Sequence, residues 1–204
     1  MPYRRLRQVF YIVVATIFLA LPARAESSEP IAVVEKLHDK LISVMRQAKE
    51  LGYAGRRDAL MPILLVSYDL PRMARVTVGR HWKEMDDGQK NALIEAFTAM
   101  TLSNYASRFN GFSGEYFETL GTLETPHGHM VVQTHIVTSD EKIRIDYLLR
   151  KSGNGWQIID VFLKGTISEL AARHSEYMTY VRDHGVDALI EAVQKKAASL
   201  AEMR

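Results

Sequence analysis

Residues 142–163, with the sequence KIRIDYLLRKSGNGWQIIDVFL, contain two strand patterns joined by a turn, and this stretch decides the fold. In its first half every second side chain is apolar, and this set is Ile143, Ile145, Tyr147 and Leu149. Such alternation predicts a strand with one largely buried and one largely solvated face. The residues at 152–155, Ser-Gly-Asn-Gly, are a typical turn signal. Because so short a connection joins antiparallel strands, we expect a hairpin.

The pattern extends outward to an α+β fold. Four strands are predicted, at 115–120, 130–138, 142–150 and 156–163. Apolar residues spaced by three and four predict amphipathic helices on both sides of the strands. Before the strands, the approximate helix bounds are 31–51, 55–66, 71–78 and 87–110; after them, they are 168–184 and 186–200. Thr166 or Ser168 is the expected cap of the helix at 168–184. We therefore expect a curved four-stranded antiparallel sheet packed against several amphipathic helices, an arrangement that can enclose an apolar pocket.

The N-terminus has the three parts of a secretory signal peptide. Three arginines precede an uncharged run at 9–21, and Ala23-Arg24-Ala25 resembles a cleavage site. We expect cleavage after Ala25, which leaves one domain at 26–204 in the periplasm. Since the segment holds four arginines and no acid, its loss lowers the formal charge from +2 to −2. Neither value favours nucleic-acid binding. The absence of cysteine excludes disulfides, thiolate metal sites and a lipidated N-terminal cysteine.

Residues with catalytic or metal-binding chemistry are sparse. The sequence contains no nucleophile elbow, phosphate loop, dinucleotide fingerprint or zinc-protease motif. His127, His129 and His135 form the one histidine cluster, but a strand would hold the last two some 20 Å apart, so we predict no metal site. Asp146 is expected to form an exposed ion pair with its strand neighbour Arg144. Asp160 is expected to bond the backbone near the following helix, and the alternative is that Asp160 or a histidine acts as the general base of a small periplasmic enzyme.

Several segments together resemble the MlaC family of periplasmic phospholipid-binding proteins, which includes the toluene-tolerance proteins. Tyr68–Trp82, YDLPRMARVTVGRHW, is similar to the F-D-x-x-x-M-A-x-x-x-L-G-x-x-W/Y segment of that family. Further similar segments are 86–89, Phe97 with 105–106, 156–161, Gly165 with Ser168, 175–177 and 185–190. The resemblance covers almost the whole chain after the leader. Lys164 stands where the family usually has an acid, and the segment 164–171 is closer to the hopanoid-associated branch HpnM.

The resemblance implies a soluble carrier that moves a phospholipid or a hopanoid between the inner and outer membranes and so maintains outer-membrane lipid composition. The implied partners are an inner-membrane ABC-type lipid transport complex and an outer-membrane lipoprotein complex, and no cofactor is implied. The family's pocket takes acyl chains between sheet and helices. From strand and helix phase together with the resemblance, the expected lipid-binding residues are Met73, Val76, Phe97, Met100, Tyr105, Val132, Ile145, Tyr147, Ile158 and Phe162.

Overall fold

The computed structural model describes residues 25–202, so the predicted signal peptide, apart from Ala25, lies outside the described residues. The helices are α1 (Ala25–Arg46), α2 (Ala48–Ser67), α3 (Leu70–Thr77), α4 (Asp87–Arg108), α5 (Glu169–His184) and α6 (Val186–Glu202), with a 3₁₀ helix at Gly79–Lys83. The strands are β1 (Tyr116–Glu124), β2 (Met130–Val137), β3 (Lys142–Ser152), β4 (Gly155–Leu163) and β5 (Ile167–Ser168). None of the helices in this described part is long and apolar enough to cross a membrane.

The predicted α+β class is confirmed, with one more strand than expected. The sheet is antiparallel throughout, and its strands follow chain order from β1 to β5. The fifth strand pairs Ser168 with Phe162 and Ile167 with Leu163. Two residues are too few to show alternation, so the sequence pattern could not reveal it.

Two β-bulges interrupt the strand register, in β1 and in β4. Each one changes the side-chain alternation that was expected from the sequence pattern. In β1 the register shifts between Thr119 and Gly121, and the strand continues to Glu124 instead of ending near Leu120. In β4, Leu148 pairs with Asp160 but Leu149 pairs with Ile158, which leaves the intervening isoleucine as an extra residue. A bulge reverses the alternation of side chains beyond it. The residues of β4 that face the helices are therefore even-numbered before the bulge and odd-numbered after it.

The predicted helix termini agree well where a side chain caps the helix. Asp69 accepts the backbone N–H of Arg72 at the start of α3. Asp86 and Gln89 form a capping box at the start of α4, and Ser168, one of the two predicted caps, caps α5. The first predicted helix differs, because it ends at Arg46 and a new helix begins at Ala48. Gly52, which directly follows the predicted end of this helix at residue 51, is a non-helical residue inside α2, with φ 61°.

The core lies between the sheet and the helices. Helix α1 packs against β1, β2 and β4, while α2, α3 and α5 each pack against β4. Helix α4 packs on α2 and α3 and carries α6 on its other side. Phe97 at the centre of α4 is 1% exposed. Helix α4 therefore lies between the helices that pack on the sheet and α6.

Candidate functional site

An apolar cavity of about 120 Å³ lies between the β3–β4 hairpin and helices α3, α4 and α5. Its lining residues are Tyr68, Met73, Phe97, Thr101, Asn104, Tyr105, Arg108, Phe109, Ile145, Tyr147, Val161, Leu163, Glu169 and Arg173. Most of these side chains are apolar or aromatic. The polar ones, two arginines and one glutamate among them, come from the last turns of α4 and the first turns of α5.

The sheet side of the cavity follows directly from strand register. Tyr147 pairs with Val161, and Ile145 pairs with Leu163, so these four side chains form a patch on one face of β3 and β4. The bulge in β4 is what brings Val161 and Leu163 to this face. On the helix side, the contributing residues of α4 are spaced by three and four, as one helix face requires. They are Phe97, Thr101, Asn104, Tyr105 and Arg108.

Phenol hydroxyls inside this region are hydrogen-bonded to other side chains. The hydroxyls of Tyr68 and Tyr105 bond to each other across the cavity wall. Burial raises the pKa of Tyr105 to about 12 and that of Tyr68 well above its usual value. Tyr147 is 2% exposed, and its hydroxyl lies 3.0 Å from Nε2 of His38 on α1. These bonds give the buried tyrosine hydroxyls polar partners, and most of the remaining wall is apolar or aromatic.

His38 connects the cavity wall to the outer strand β1. The imidazole stacks on the Phe117 ring at a centroid distance of 3.7 Å and an interplanar angle of 9°. The residue is 4% exposed, and burial lowers the pKa of His38 from 6.5 to about 3. The ring is therefore neutral at physiological pH and acts as a fixed hydrogen-bonding support for Tyr147.

Charged side chains surround one side of the cavity. Arg173 lies 3.9 Å from Glu169, one turn earlier on α5, which is near the limit for an ion pair. The side chain of Arg108, at the end of α4, is exposed and forms no hydrogen bond or ion pair with another side chain or with the backbone in 25–202. Both guanidinium groups lie close enough to the Tyr105 hydroxyl to counteract the rise in its pKa. The rim thus has a positive potential next to an apolar interior.

The structure brings together part of the predicted lipid-binding set. Met73, Phe97, Tyr105, Ile145 and Tyr147 all line the cavity. Val132 and Ile158 are fully buried in the core without reaching it, and Val76 is 38% exposed on the outside of α3. Met100 faces α5, where the Tyr177 hydroxyl approaches its Sδ at 3.5 Å. Phe162 pairs with Asp146 on the opposite face of the sheet, because the bulge reverses the phase that placed it inside.

Sequence reasoning missed several lining residues. Thr101 and Arg108 are four and eleven residues beyond Phe97, so helical spacing on α4 could have identified them. Val161 and Leu163 could not be identified, because nothing in the sequence marks the bulge. Arg173 lies near α4 only through tertiary packing, and no local pattern predicts this.

The two aspartates have structural bonding partners. Oδ1 of Asp160 accepts the backbone N–H of Val161 at 2.7 Å and of Leu170 at 3.0 Å, and Oδ2 accepts the Ser168 hydroxyl at 2.6 Å. It therefore ties β4 to the start of α5, as the favoured interpretation expected, and it does not line the cavity. Asp146 forms a bidentate ion pair with Arg144, as expected. The Asp146 residue is only 4% exposed, however, so the expectation that its carboxylate would be exposed was wrong.

The histidine cluster is spread along the first hairpin. His127 and His129 lie in the turn between β1 and β2, where the carbonyl of His129 accepts the N–H of Thr125. His135 lies opposite Glu118 in the register, with 3.7 Å between Nδ1 and Oε2. Within residues 25–202, no three side chains of His, Asp or Glu are grouped closely enough to hold a metal ion.

Comparisons with known proteins agree with this arrangement. The model of the MlaC protein family matches residues 35–195. The chain is similar in structure to a phospholipid-binding protein from Ralstonia solanacearum, solved in complex with a phospholipid, with a TM-score of 0.74 and 17% sequence identity. The match covers 83% of this chain and 97% of that one, and at this identity it shows the shared fold. No curated protein matches the chain. Because the family model spans most of its length, this chain belongs to the MlaC family.

Proposed function

We propose that this protein is a lipid carrier that binds a phospholipid, with acyl carbons in the cavity and the phosphate beside Arg108 and Arg173. The observation that carries the proposal is the apolar cavity with two guanidinium groups at its rim. Family membership and the phospholipid in the Ralstonia solanacearum structure support the same ligand class.

The interior suits hydrocarbon. Each buried CH₂ group contributes about 0.8 kcal/mol, so a carrier must offer a wall as apolar as the bilayer itself. The bond between the Tyr68 and Tyr105 hydroxyls gives one of the two hydroxyls an acceptor within the wall and so lowers the cost of burying the pair. Burial keeps both phenols neutral.

The rim suits an anionic head group. Guanidinium groups bind phosphate through paired N–H donors, and Arg108 has such donors uncommitted among the described residues. Glu169 is held 3.9 Å from Arg173 and so only partly neutralises it. A lipid phosphate between the two arginines would find positive charge without displacing a strong ion pair.

The cellular setting extends the proposal. A cleaved signal peptide ending at Ala25 would deliver the domain at 26–204 to the periplasm, where an inner-membrane lipid transport complex and an outer-membrane lipoprotein complex would be its partners. Family membership and the sequence of the first 25 residues support this setting. A hopanoid is the alternative ligand, suggested by the segment at 164–171. The enzyme hypothesis loses support, because Asp160 is committed to three structural bonds away from the cavity.

The test is native mass spectrometry of the protein purified from the periplasm of its own cells, with extraction and identification of bound lipid. We expect one phospholipid on the wild-type protein. Thr101→Trp, which places a large ring into the cavity, should strongly reduce it, while the matched control Thr179→Trp on the exposed face of α5 should not. Circular dichroism checks the fold of both variants. A bound hopanoid would change the ligand class, and a protein that neither carries nor accepts lipid would refute the proposal.

A further inference from the structure

Strand β1, at Tyr116–Glu124, forms one edge of the sheet. Within residues 25–202 it pairs with β2 alone, so the backbone N–H and C=O groups on its other side have no strand partner. The opposite edge, β5, is two residues long and leads directly into α5. The nine residues of β1 therefore form the longer open edge, and such an edge can pair with an additional strand.

The sequence of β1 does little to prevent such pairing. Proteins commonly protect an edge strand with lysine or proline, and β1 contains neither. Its bulge twists the strand but leaves four regularly paired residues on each side. Three large apolar side chains of this one strand are exposed, with exposed fractions of 49% for Tyr116, 50% for Leu120 and 56% for Leu123. This combination is typical of a surface that a partner covers.

A groove of about 940 Å³ lies beside this edge, between α1 and β1. Its strand residues all come from the first half of β1, and they are Tyr116, Phe117 and Thr119. Arg46 of α1 lines the far end, where its guanidinium lies 5.0 Å from the centre of the Phe112 ring. Since a cavity of about 150 Å³ accommodates a benzene ring, the groove has room for several side chains of an added segment.

The charges around the edge favour a basic occupant. Glu35 and Asp39 of α1 line the groove, and Glu124 ends the strand. None of these three forms an ion pair with another residue in 25–202. Glu118, in the middle of β1, is already paired with Lys142 at 3.1 Å. A second copy of this chain is disfavoured, because pairing through the same edge would bring two acidic strands together.

We propose that the free edge of β1 is a docking site for a protein partner, which adds an extended segment with basic and apolar side chains to the sheet. Backbone hydrogen bonds to β1 would supply the affinity. The apolar side chains of the segment would cover the three exposed ones, and its basic side chains would pair with the three unpaired acids. The strand residues of the lipid cavity belong to β3 and β4, so docking at β1 leaves that cavity uncovered.

A synthetic strand tests this proposal. The mature protein, purified from the periplasm, is titrated with the labelled peptide KVKVTVK, and binding is followed by fluorescence anisotropy. Hydrogen exchange of residues 116–124 is then measured by mass spectrometry with and without saturating peptide. We expect the peptide to bind and to slow exchange in this segment roughly tenfold, because the free amides of the edge gain acceptors. The peptide KVKPTPK, which lacks two N–H donors, and the acidic peptide EVEVTVE should bind much more weakly.

Two lysine substitutions form a matched pair, because both add one positive charge to an exposed apolar position. Leu123→Lys on β1 should weaken binding of KVKVTVK roughly tenfold, through lost apolar cover and repulsion. Val66→Lys on α2, where the native side chain is 65% exposed, should bind like the wild type. Glu124→Gln, a smaller change on the strand, should also weaken binding and serves if Leu123→Lys does not fold.

Four results would overturn the proposal. The first is no binding of KVKVTVK. The second is binding that leaves the exchange of residues 116–124 unchanged, since the peptide would then lie elsewhere. The third is equal binding of all three peptides. The fourth is slowed exchange of the same segment in the absence of peptide, together with the mass of a dimer, because this would show that a second copy occupies the edge.

Discussion

His38 gives a quantitative prediction about stability and pH. The imidazole is 4% exposed, and burial lowers its pKa from 6.5 in the unfolded chain to about 3 in the folded one. Between these two values the unfolded state binds a proton that the folded state does not. The stabilising contribution of the neutral ring is therefore complete above pH 6.5 and is lost progressively as the pH falls toward 3.

The size of the effect follows from the two pKa values. Each pH unit below the unfolded pKa lowers the free energy of unfolding by about 1.4 kcal/mol for this group. Between about pH 7.5 and about pH 5, the loss amounts to about 2 kcal/mol. A difference of this size is a large part of the stability of an ordinary domain.

Urea denaturation at the two pH values, followed by circular dichroism, measures this loss. His38→Gln keeps a neutral hydrogen-bonding group next to the Tyr147 hydroxyl but does not titrate. We expect the wild type to lose about 2 kcal/mol more than this variant over the same interval. His127→Gln, in the exposed turn between β1 and β2, should behave like the wild type. Equal losses in all three proteins would show that His38 protonates freely in the folded state, and the reasoning from burial would be refuted.

Three further substitutions test local parts of the fold by the same urea assay. Asp160→Ala leaves two backbone N–H groups and the Ser168 hydroxyl without their acceptor, so it should cost about 2–4 kcal/mol; an unchanged stability would contradict the structural role. Gly165→Ala should cost about 1–2 kcal/mol, since φ is 71° and the added Cβ would lie 2.9 Å from Nε of Arg144. Asp86→Ala removes the capping box of α4 and should cost about 1 kcal/mol, and a change in the denaturant slope alone would argue against simple loss of the cap.

The α+β class was predictable because each element carries its own periodicity. Alternation in 142–149 identifies a strand without knowledge of its neighbours, and the Asp86–Gln89 capping box fixes the start of α4. The fifth strand was not predictable, because two residues have no period. The break after Arg46 has no glycine or proline to signal it, so the tertiary packing of α1 and α2 sets that boundary.

Part of the candidate site was also predictable from the sequence, and part was not. Met73, Phe97, Tyr105, Ile145 and Tyr147 were placed at the cavity by phase and resemblance, and the structure brings them together there. Phe162 was misplaced by the bulge in β4, which depends on pairing with β3 and leaves no mark in the sequence of one strand.

By itself the sequence determined the order and type of most elements, the capped start of α5, and the resemblance to the family that the comparison confirms. These features depend on residues close together in the chain, and local chemistry decides them. Only the tertiary structure decided which faces meet: it brought Arg173 beside the cavity and Tyr147 against His38. Such contacts join residues far apart in sequence, and their geometry depends on bulges and helix packing angles that no local pattern encodes.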